Sequence, residues 1–151
     1  MVERAFAISL VIPDNEASTA LATLQRLGVE CAGISRAAIH VFGTDESVEP
    51  SQLERTLRTV ATVYNPNKHR LRPLPKARPE AGEVWIAASE APQRRERVVV
   101  GGVELSGVHE VWQATSWRLL DAEGRTVPPA VLDRAVETLL CNPAFQRAIR
   151  S

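Results

Sequence analysis

Residues 5–28 read AFAISLVIPDNEASTALATLQRLG, and this stretch decides the class of fold. Its first part places an apolar residue at every second position: Phe6, Ile8, Leu10 and Ile12. That period of two is typical of a strand with one well-buried face. Pro13 ends the strand, and Asp14 or Asn15 then offers a side-chain oxygen that can cap a helix N-terminus. The stretch therefore predicts a strand that leads directly into a helix.

The predicted helix and the next strand continue this pattern. Apolar residues recur at helical spacing: Ala17, Ala20, Leu21, Leu24 and Leu27. Gly28 follows at the position where a helix end favours a left-handed residue. A second strand is predicted from Gly33 to Phe42, with an exit turn at residues 43–45. Its inward-facing positions are predicted to be Ile34, Ala37, Ile39 and Val41.

A second amphipathic helix is predicted after that turn. Pro50 suits a first helical turn, and Ser51 with Glu54 matches a capping box. The apolar stripe of this helix is Leu53, Leu57, Val60, Ala61 and Tyr64. Asn65-Pro66 stops the helix, because proline disfavours the α conformation in the residue before it. Residues 69–74 are then predicted to form a short strand.

The second half of the chain begins with a change of character. Residues 73–82 contain three prolines and predict a linker. The elements predicted after it are a strand at 84–86, a hairpin at 98–105 that turns at Gly101-Gly102, a strand at 109–120 and a turn at 121–124.

A final amphipathic helix is predicted to open at Pro128-Pro129. Its apolar positions are Leu132, Ala135, Val136, Leu139 and Leu140. Asn142-Pro143 breaks it, and Phe145 with Ile149 predicts one more helical turn. This order of elements predicts an α+β sandwich with helices on one face of a mainly antiparallel sheet. A parallel doubly wound sheet would need more regular alternation of strands and helices.

The charge balance limits the classes of partner. Eighteen Lys and Arg residues equal eighteen Asp and Glu residues, so the formal net charge is zero. Nucleic-acid binders need a basic surface, and the cluster Arg94, Arg95 and Arg97 is interrupted by Glu96. We interpret that cluster as a solvated turn and predict no nucleic-acid partner. A chain near neutrality is also prone to self-association, which favours a homo-oligomer.

Hydropathy and cysteine usage predict the compartment. No run approaches the roughly 18 apolar residues of a membrane span, and the N-terminus lacks the pattern of a signal peptide. Cys31 and Cys141 have neither metal-site nor CxxC spacing, although a single disulfide between them stays open. We therefore expect a soluble, cytoplasmic protein with no membrane partner.

The histidines and glycines carry no catalytic or metal-binding pattern. His40, His69 and His109 have no second histidine or acidic residue at ligand spacing. Gly101-Gly102 and Gly107 are not followed by a helix, so they do not form a phosphate-binding loop.

The remaining chemical side chains have structural interpretations. The carboxylates Asp45, Glu46 and Glu49 precede a helix and favour the positive end of its dipole. Neither cysteine has a basic neighbour that would lower its pKa. The tryptophans, Trp85, Trp112 and Trp117, are expected in the core more than at an interface. The sequence thus predicts no catalytic, cofactor-binding or metal-ligating residue and no cofactor.

Two helix ends carry a resemblance to a known family. Thr62-Val63-Tyr64-Asn65-Pro66-Asn67 and Leu139-Leu140-Cys141-Asn142-Pro143-Ala144 are alike, and the two asparagines stand 77 positions apart. Each follows an amphipathic helix, which favours an internal duplication over a coincidence of two helix stops. An apolar helix that ends in Leu-Leu-x-Asn-Pro resembles the C-terminal helix of the PurS-type small subunit of phosphoribosylformylglycinamidine synthase. Residues 24–29 and 33–39 are similar to that family's first helix, its Leu-Gly stop and its second strand.

The resemblance covers residues 5–74 and, more loosely, residues 108–150. Members of the family are usually little more than half this length, and their Asp-x-x-Gly turn is replaced here by residues 13–16, Pro-Asp-Asn-Glu. In the second half, the Gly101-Gly102 hairpin takes the place of the first helix. The resemblance implies a tandem protein with a PurS-like unit at 1–75, a linker at 76–82 and a diverged β-rich unit at 83–151.

The resemblance also implies a function. It implies a ferredoxin-like, PurS-like fold in a non-catalytic subunit of purine biosynthesis that forms a dimer. Such a subunit bridges the synthetase and glutaminase subunits. Two alternatives from other classes stay open: a ligand-sensing regulatory domain of the ACT-like type that binds a small molecule, and an enzyme whose site has no local signature.

Overall fold

The computed structural model describes all 151 residues of the chain. It is an α+β structure with a six-stranded sheet of order β3-β1-β2-β7-β4-β8 and a separate two-stranded ribbon, β5-β6. The strands are β1 (Val2–Leu10), β2 (Gly33–Thr44), β3 (His69–Leu74), β4 (Glu83–Ala88), β5 (Val99–Val100), β6 (Val103–Glu104), β7 (Val108–Leu120) and β8 (Gln146–Ile149). The helices are α1 (Asn15–Arg26), α2 (Pro50–Thr59) and α3 (Pro129–Ala135), and a π-helical segment, Val136–Leu140, follows α3.

Strand pairing explains the predicted class of fold. Strand β1 pairs antiparallel with β2 and with β3. Strand β4 pairs antiparallel with β7 and with β8. The predicted α+β class with a mainly antiparallel sheet is thereby confirmed. None of the helices is long and apolar enough to cross a membrane.

The chain forms two compact units, and neither is one continuous stretch. Unit 1 consists of Met1–Ile12, Ala38–Ala77 and Glu90–Gln113. Unit 2 consists of Pro13–Ala37, Arg78–Ser89 and Ala114–Ser151. The division into segments 1–75, 76–82 and 83–151 concerns a repeat in the sequence, and it stays a prediction.

Unit 1 is built around the first two strands. Phe6 of β1 and Phe42 of β2 meet edge to face, with ring centroids 6.0 Å apart. They belong to a core that also draws on α2, β3, the start of β7 and the residues on either side of the ribbon: Ile8, Leu53, Leu57, Leu71, Val98, Leu105 and Val108. Ala7 and Ile39 lie opposite each other on the other face of the strands, and both are buried. The single buried face predicted for β1 is therefore wrong, since both faces are covered.

Both ends of α2 differ from the prediction. The N-cap residue is Glu49, which makes no side-chain capping bond, so the predicted capping box of Ser51 and Glu54 is wrong. Glu54 pairs instead with Arg58, one turn further along the helix. The helix ends at Thr59, six positions before the predicted stop at Asn65, because Val60 takes an extended conformation. Val60 is buried there.

Of the two turns predicted around β2 and the ribbon, the structure moves one and keeps the other. Strand β2 runs on to Thr44, so the predicted exit turn at residues 43–45 comes too early. The predicted hairpin at 98–105 is confirmed, and β5 pairs with β6. Gly101 and Gly102 have φ of +56° and +82°, the left-handed pair that a two-residue primed turn requires.

Unit 2 holds the first helix of the chain. Asp14 accepts a hydrogen bond from the backbone N–H of Ala17 at 3.1 Å, and Gly28 follows the helix with φ of +81°. Both predicted ends of α1 are confirmed. Leu24 packs in a core of ten buried residues, whose other members are Val29, Cys31, Val84, Ile86, Leu119, Val127, Leu132, Ala135 and Leu140. Leu27 was predicted on the apolar stripe but is exposed, as is Ile12, which lies beyond the end of β1.

The C-terminal elements bring one further correction. The final helix is α-helical only to Ala135 and then widens to the π form, in which the N–H of Cys141 donates to Val136 O at 3.2 Å. It ends before Asn142, as predicted. The extra helical turn predicted from Phe145 and Ile149 is wrong, because Gln146–Ile149 forms strand β8 against β4.

Candidate functional site

The three histidines have three different roles in the structure. His40 is buried in β2, and burial lowers its pKa, so the ring is neutral at pH 7. His69 accepts a hydrogen bond from the N–H of Asn65 through Nδ1 at 2.9 Å and so closes the turn before β3. His109 contacts Asp45, with 2.8 Å between Nε2 and Oδ1. No group of three or more His, Cys, Asp and Glu side chains is placed to hold a metal ion.

The Asp45–His109 pair is the contact that sequence reasoning missed. The two residues are 64 positions apart, so no local motif links them. The sheet brings them together, because β2 and β7 are neighbours and Asp45 leaves the end of β2. The N–H of Asp45 donates to Gly107 O at 2.9 Å, just before β7 begins. The only indication in the sequence is that one polar residue, Asp45, follows β2 and another, His109, stands at the start of β7.

Asp45 also lines a cleft in unit 1, which we call the polar cleft. Its volume is about 470 Å³, and it lies between the first turns of α2 and the chain that leaves the ribbon. Its lining residues are Asp45, Ser47, Val48, Gln52, Leu53, Thr56, Val103, Glu104, Leu105, Ser106 and Gly107. Gly107 has φ of +77°, and a Cβ there would lie 2.6 Å from Val48 Cγ2, so this wall of the cleft requires glycine.

The polar cleft carries two carboxylates in different settings. Asp45 contacts His109, whereas Glu104 accepts two hydrogen bonds from Arg97, at 2.7 and 3.0 Å. The hydrogen bonds and positive charge of Arg97 hold the pKa of Glu104 below its usual range. The lining also offers hydroxyl groups and the Gln52 amide. This arrangement suits the binding of a small polar molecule that donates hydrogen bonds, and it contains no activated nucleophile.

Unit 2 contains a second cleft, the apolar groove, of about 420 Å³. Its lining residues are Asn15, Glu16, Thr19, Ala20, Thr23, Trp117, Leu139 and Leu140. The guanidinium of Arg36 lies over the ring of Trp117, 5.9 Å from its centroid, and donates to both oxygens of Asp14 at 3.0 Å. Although burial acts to raise it, these bonds from Arg36 keep the pKa of Asp14 below its usual range.

The remaining predicted residues are mostly structural. Trp85 and Trp112 are buried, in agreement with the core interpretation, whereas Trp117 is half-buried at the apolar groove. Cys31 and Cys141 are free thiols, and burial raises the pKa of Cys31. A disulfide between them, which the sequence left open, is therefore not formed.

The two Asn-Pro segments form turns with the same hydrogen bonds. Asn65 Oδ1 accepts from the N–H of Asn67 at 2.9 Å, and Asn142 Oδ1 accepts from the N–H of Ala144 at 3.0 Å. The backbone carbonyl of each asparagine accepts from the residue four positions on, at 2.8 Å in both turns. That residue returns a side-chain acceptor to the asparagine N–H at 2.9 Å, His69 in one turn and Gln146 in the other.

Comparison with known proteins assigns no family to the chain. No protein-family model matches the chain, and a search of curated proteins found no match.

Proposed function

We propose that the chain is a non-catalytic scaffold made of two related halves, similar to the PurS-type bridging subunit of purine biosynthesis. The observation that carries this proposal is the pair of Asn-Pro turns. Three hydrogen bonds recur in them, and an exchange of His69 for Gln146 keeps the side-chain acceptor at the same place. A generic helix stop needs only the proline, whereas a shared set of side-chain bonds favours descent from one duplicated segment.

The strand order supports the same proposal. Each turn leads into a short strand, β3 or β8, that lies at an edge of the sheet. Next to each edge lies the first strand of a half, β1 or β4, followed by a long strand, β2 or β7. When the strands are numbered within each half, the order read inward from either edge is third strand, first strand, second strand. A tandem protein whose two halves are related would show the same strand order from both edges of the sheet.

A scaffold of this kind acts by offering surface to other subunits. Several large apolar side chains are exposed, among them Phe145 at 59% and Val99 at 56%. Exposed apolar residues of this size favour contacts with a partner subunit or a second copy. In the proposed role, the partners are the synthetase and glutaminase subunits of the same source organism, and the chain also forms a homodimer.

The proposal is tested by enzyme activity that depends on the chain. The synthetase and glutaminase subunits from the same organism are purified and assayed with glutamine as the nitrogen donor. We expect glutamine-dependent synthesis to rise when the chain is added and ammonia-dependent synthesis to stay constant. An unchanged glutamine-dependent rate at saturating chain would refute the bridging role.

A second candidate function, a ligand-sensing regulatory domain of the ACT-like type, is favoured by the polar cleft. Its volume of about 470 Å³ and its carboxylate and hydroxyl lining suit a small polar ligand. Thermal unfolding in the presence of each amino acid tests this function. A ligand of the cleft should raise the Tm of the wild type but not of Ser106→Trp, which fills the cleft. The control Ser51→Trp lies outside the lining and should respond like the wild type.

A further inference from the structure

Strand β3 and its exit carry an unusual concentration of positive charge. Residues 68–77 read KHRLRPLPKA and contain no acidic residue. Four side chains of this stretch, Lys68, Arg70, Arg72 and Lys76, are exposed, and none of them forms an ion pair. We call these four residues the basic edge. The chain as a whole is electrically neutral, so the basic edge is a local departure that the balance of charges does not explain.

The strand fixes how these charges are presented. Leu71 is buried in the core of unit 1, whereas Arg70 and Arg72 flank it and lie on the opposite face of β3. Alternate residues of a strand are about 6.6 Å apart, so the two guanidinium groups start from backbone positions with that spacing. An extended acidic chain with carboxylates at every second position has the same spacing.

The outward-facing backbone groups of β3 leave few hydrogen-bonding positions for an added strand. The N–H of Val11 donates to Lys68 O at 2.8 Å, and the antiparallel register then turns the backbone of Arg70 and Arg72 toward β1. The outward positions are His69, Leu71 and Pro73. The His69 N–H already donates to Asn65 O, the Leu71 carbonyl accepts from Arg58, and proline has no N–H.

A second copy of the chain does not fit this edge. Lysine, arginine and proline on an edge strand discourage pairing between identical edges, and two basic edges repel each other. A partner must therefore approach with negative charge and be held mainly by side chains.

We propose that the basic edge binds an acidic, extended segment of a partner protein. The unpaired cations supply charge complementarity, and the strand supplies a rigid spacing. A nucleic acid is the less suitable polyanion, because no Phe, Tyr or Trp is interleaved with the four cations to stack on bases. This binding goes beyond the scaffold function proposed above, since it does not depend on the identity of the subunits in that complex.

The test uses a fluorescein-labelled decapeptide of alternating glutamate and threonine and measures anisotropy at 50 mM salt. We expect the peptide to bind the full chain and to be released as salt rises to 300 mM, because exposed charges are screened. The double variant Arg70→Gln/Arg72→Gln should weaken binding by about fivefold or more. The control Arg94→Gln/Arg95→Gln removes the same charge from another exposed loop and should bind like the wild type.

Circular dichroism of both variants establishes that they are folded before binding is compared. Three results would overturn the proposal: no binding of the peptide to the wild type, an equal loss in both double variants, or tighter binding of a ten-nucleotide oligothymidine than of the peptide.

Discussion

At the scale of the residue, Asp14 shows how one side chain holds two elements. Its carboxylate caps α1 by accepting a hydrogen bond from the Ala17 N–H, and it also accepts two hydrogen bonds from the guanidinium of Arg36 in β2. The Arg36 side chain pairs with Glu16 as well and covers Trp117. A helix cap alone needs only an oxygen acceptor, so the carboxylate charge at this position serves the strand.

Substitution of Asp14 separates these two roles. Asp14→Ala removes the cap and the ion pair and should lower the free energy of unfolding by about 1–2 kcal/mol. Asp14→Ser keeps a capping oxygen and should lose less. Glu49→Ala is the matched control, because Glu49 is the N-cap of α2 but makes no side-chain capping bond. Urea unfolding measures all three, and an equal loss for Asp14→Ala and Glu49→Ala would contradict the structure.

His40 makes stability depend on pH in a defined direction. Burial lowers its pKa from the ordinary value of 6.5, so the unfolded chain takes up the proton at a higher pH than the folded chain. Its contribution is therefore complete above about pH 6.5 and is lost as the pH falls from there toward the folded pKa. We expect the urea concentration at the unfolding midpoint to decrease when the pH is lowered from 7.5 to 5.5. The decrease should be smaller in His40→Leu. The same fall in both proteins would show that His40 is not its source.

At the scale of the element, the two Asn-Pro turns are held by the same set of hydrogen bonds. The side chain of each asparagine accepts one backbone N–H, from Asn67 in the first turn and from Ala144 in the second. We expect Asn65→Ala and Asn142→Ala each to cost about 1 kcal/mol in the free energy of unfolding. Asn67→Ala is the control, since only the backbone of Asn67 takes part in the turn. A cost confined to one of the two asparagines would argue against equivalent turns.

Local signals explain which elements the sequence could predict. Asp14 and Gly28 delimit α1, and Gly101-Gly102 specifies the ribbon turn, because capping and left-handed backbone are properties of a few adjacent residues. The end of α2 at Thr59 was not predictable in this way. The periodicity runs on through Val60, but Val60 Cγ1 would lie 2.2 Å from a Cβ at Gly101, so the ribbon packs closely against it.

The candidate site was hidden from sequence reasoning for a related reason. The Asp45–His109 contact depends on β2 and β7 being neighbours in the sheet, which no spacing along the chain encodes. The polar cleft likewise joins α2 to residues 103–107, about fifty positions later. The basic edge, by contrast, is visible in the sequence as a run without acidic residues, and the structure adds that its charges are exposed and unpaired.

At the scale of the whole molecule, the proposed scaffold should associate with itself. The exposed apolar side chains, including Leu139 and Phe145, are the surfaces that favour contact. Trp112 is buried and is therefore not available as an anchor of such a contact. The basic edge opposes association through β3, which favours a closed dimer over a chain of edge-paired copies. Light scattering at micromolar concentration should give twice the 16.5 kDa of one chain, and a strict monomer would contradict this prediction.

The bridging role is tested most directly by the mass of a mixed complex. The chain, the synthetase and the glutaminase of the same organism are mixed with glutamine and separated by size exclusion with light scattering. We expect one peak that contains all three proteins, and we expect the two larger subunits to separate when the chain is left out. Elution of the chain in a peak of its own from the mixture of all three proteins would contradict the proposed scaffold function.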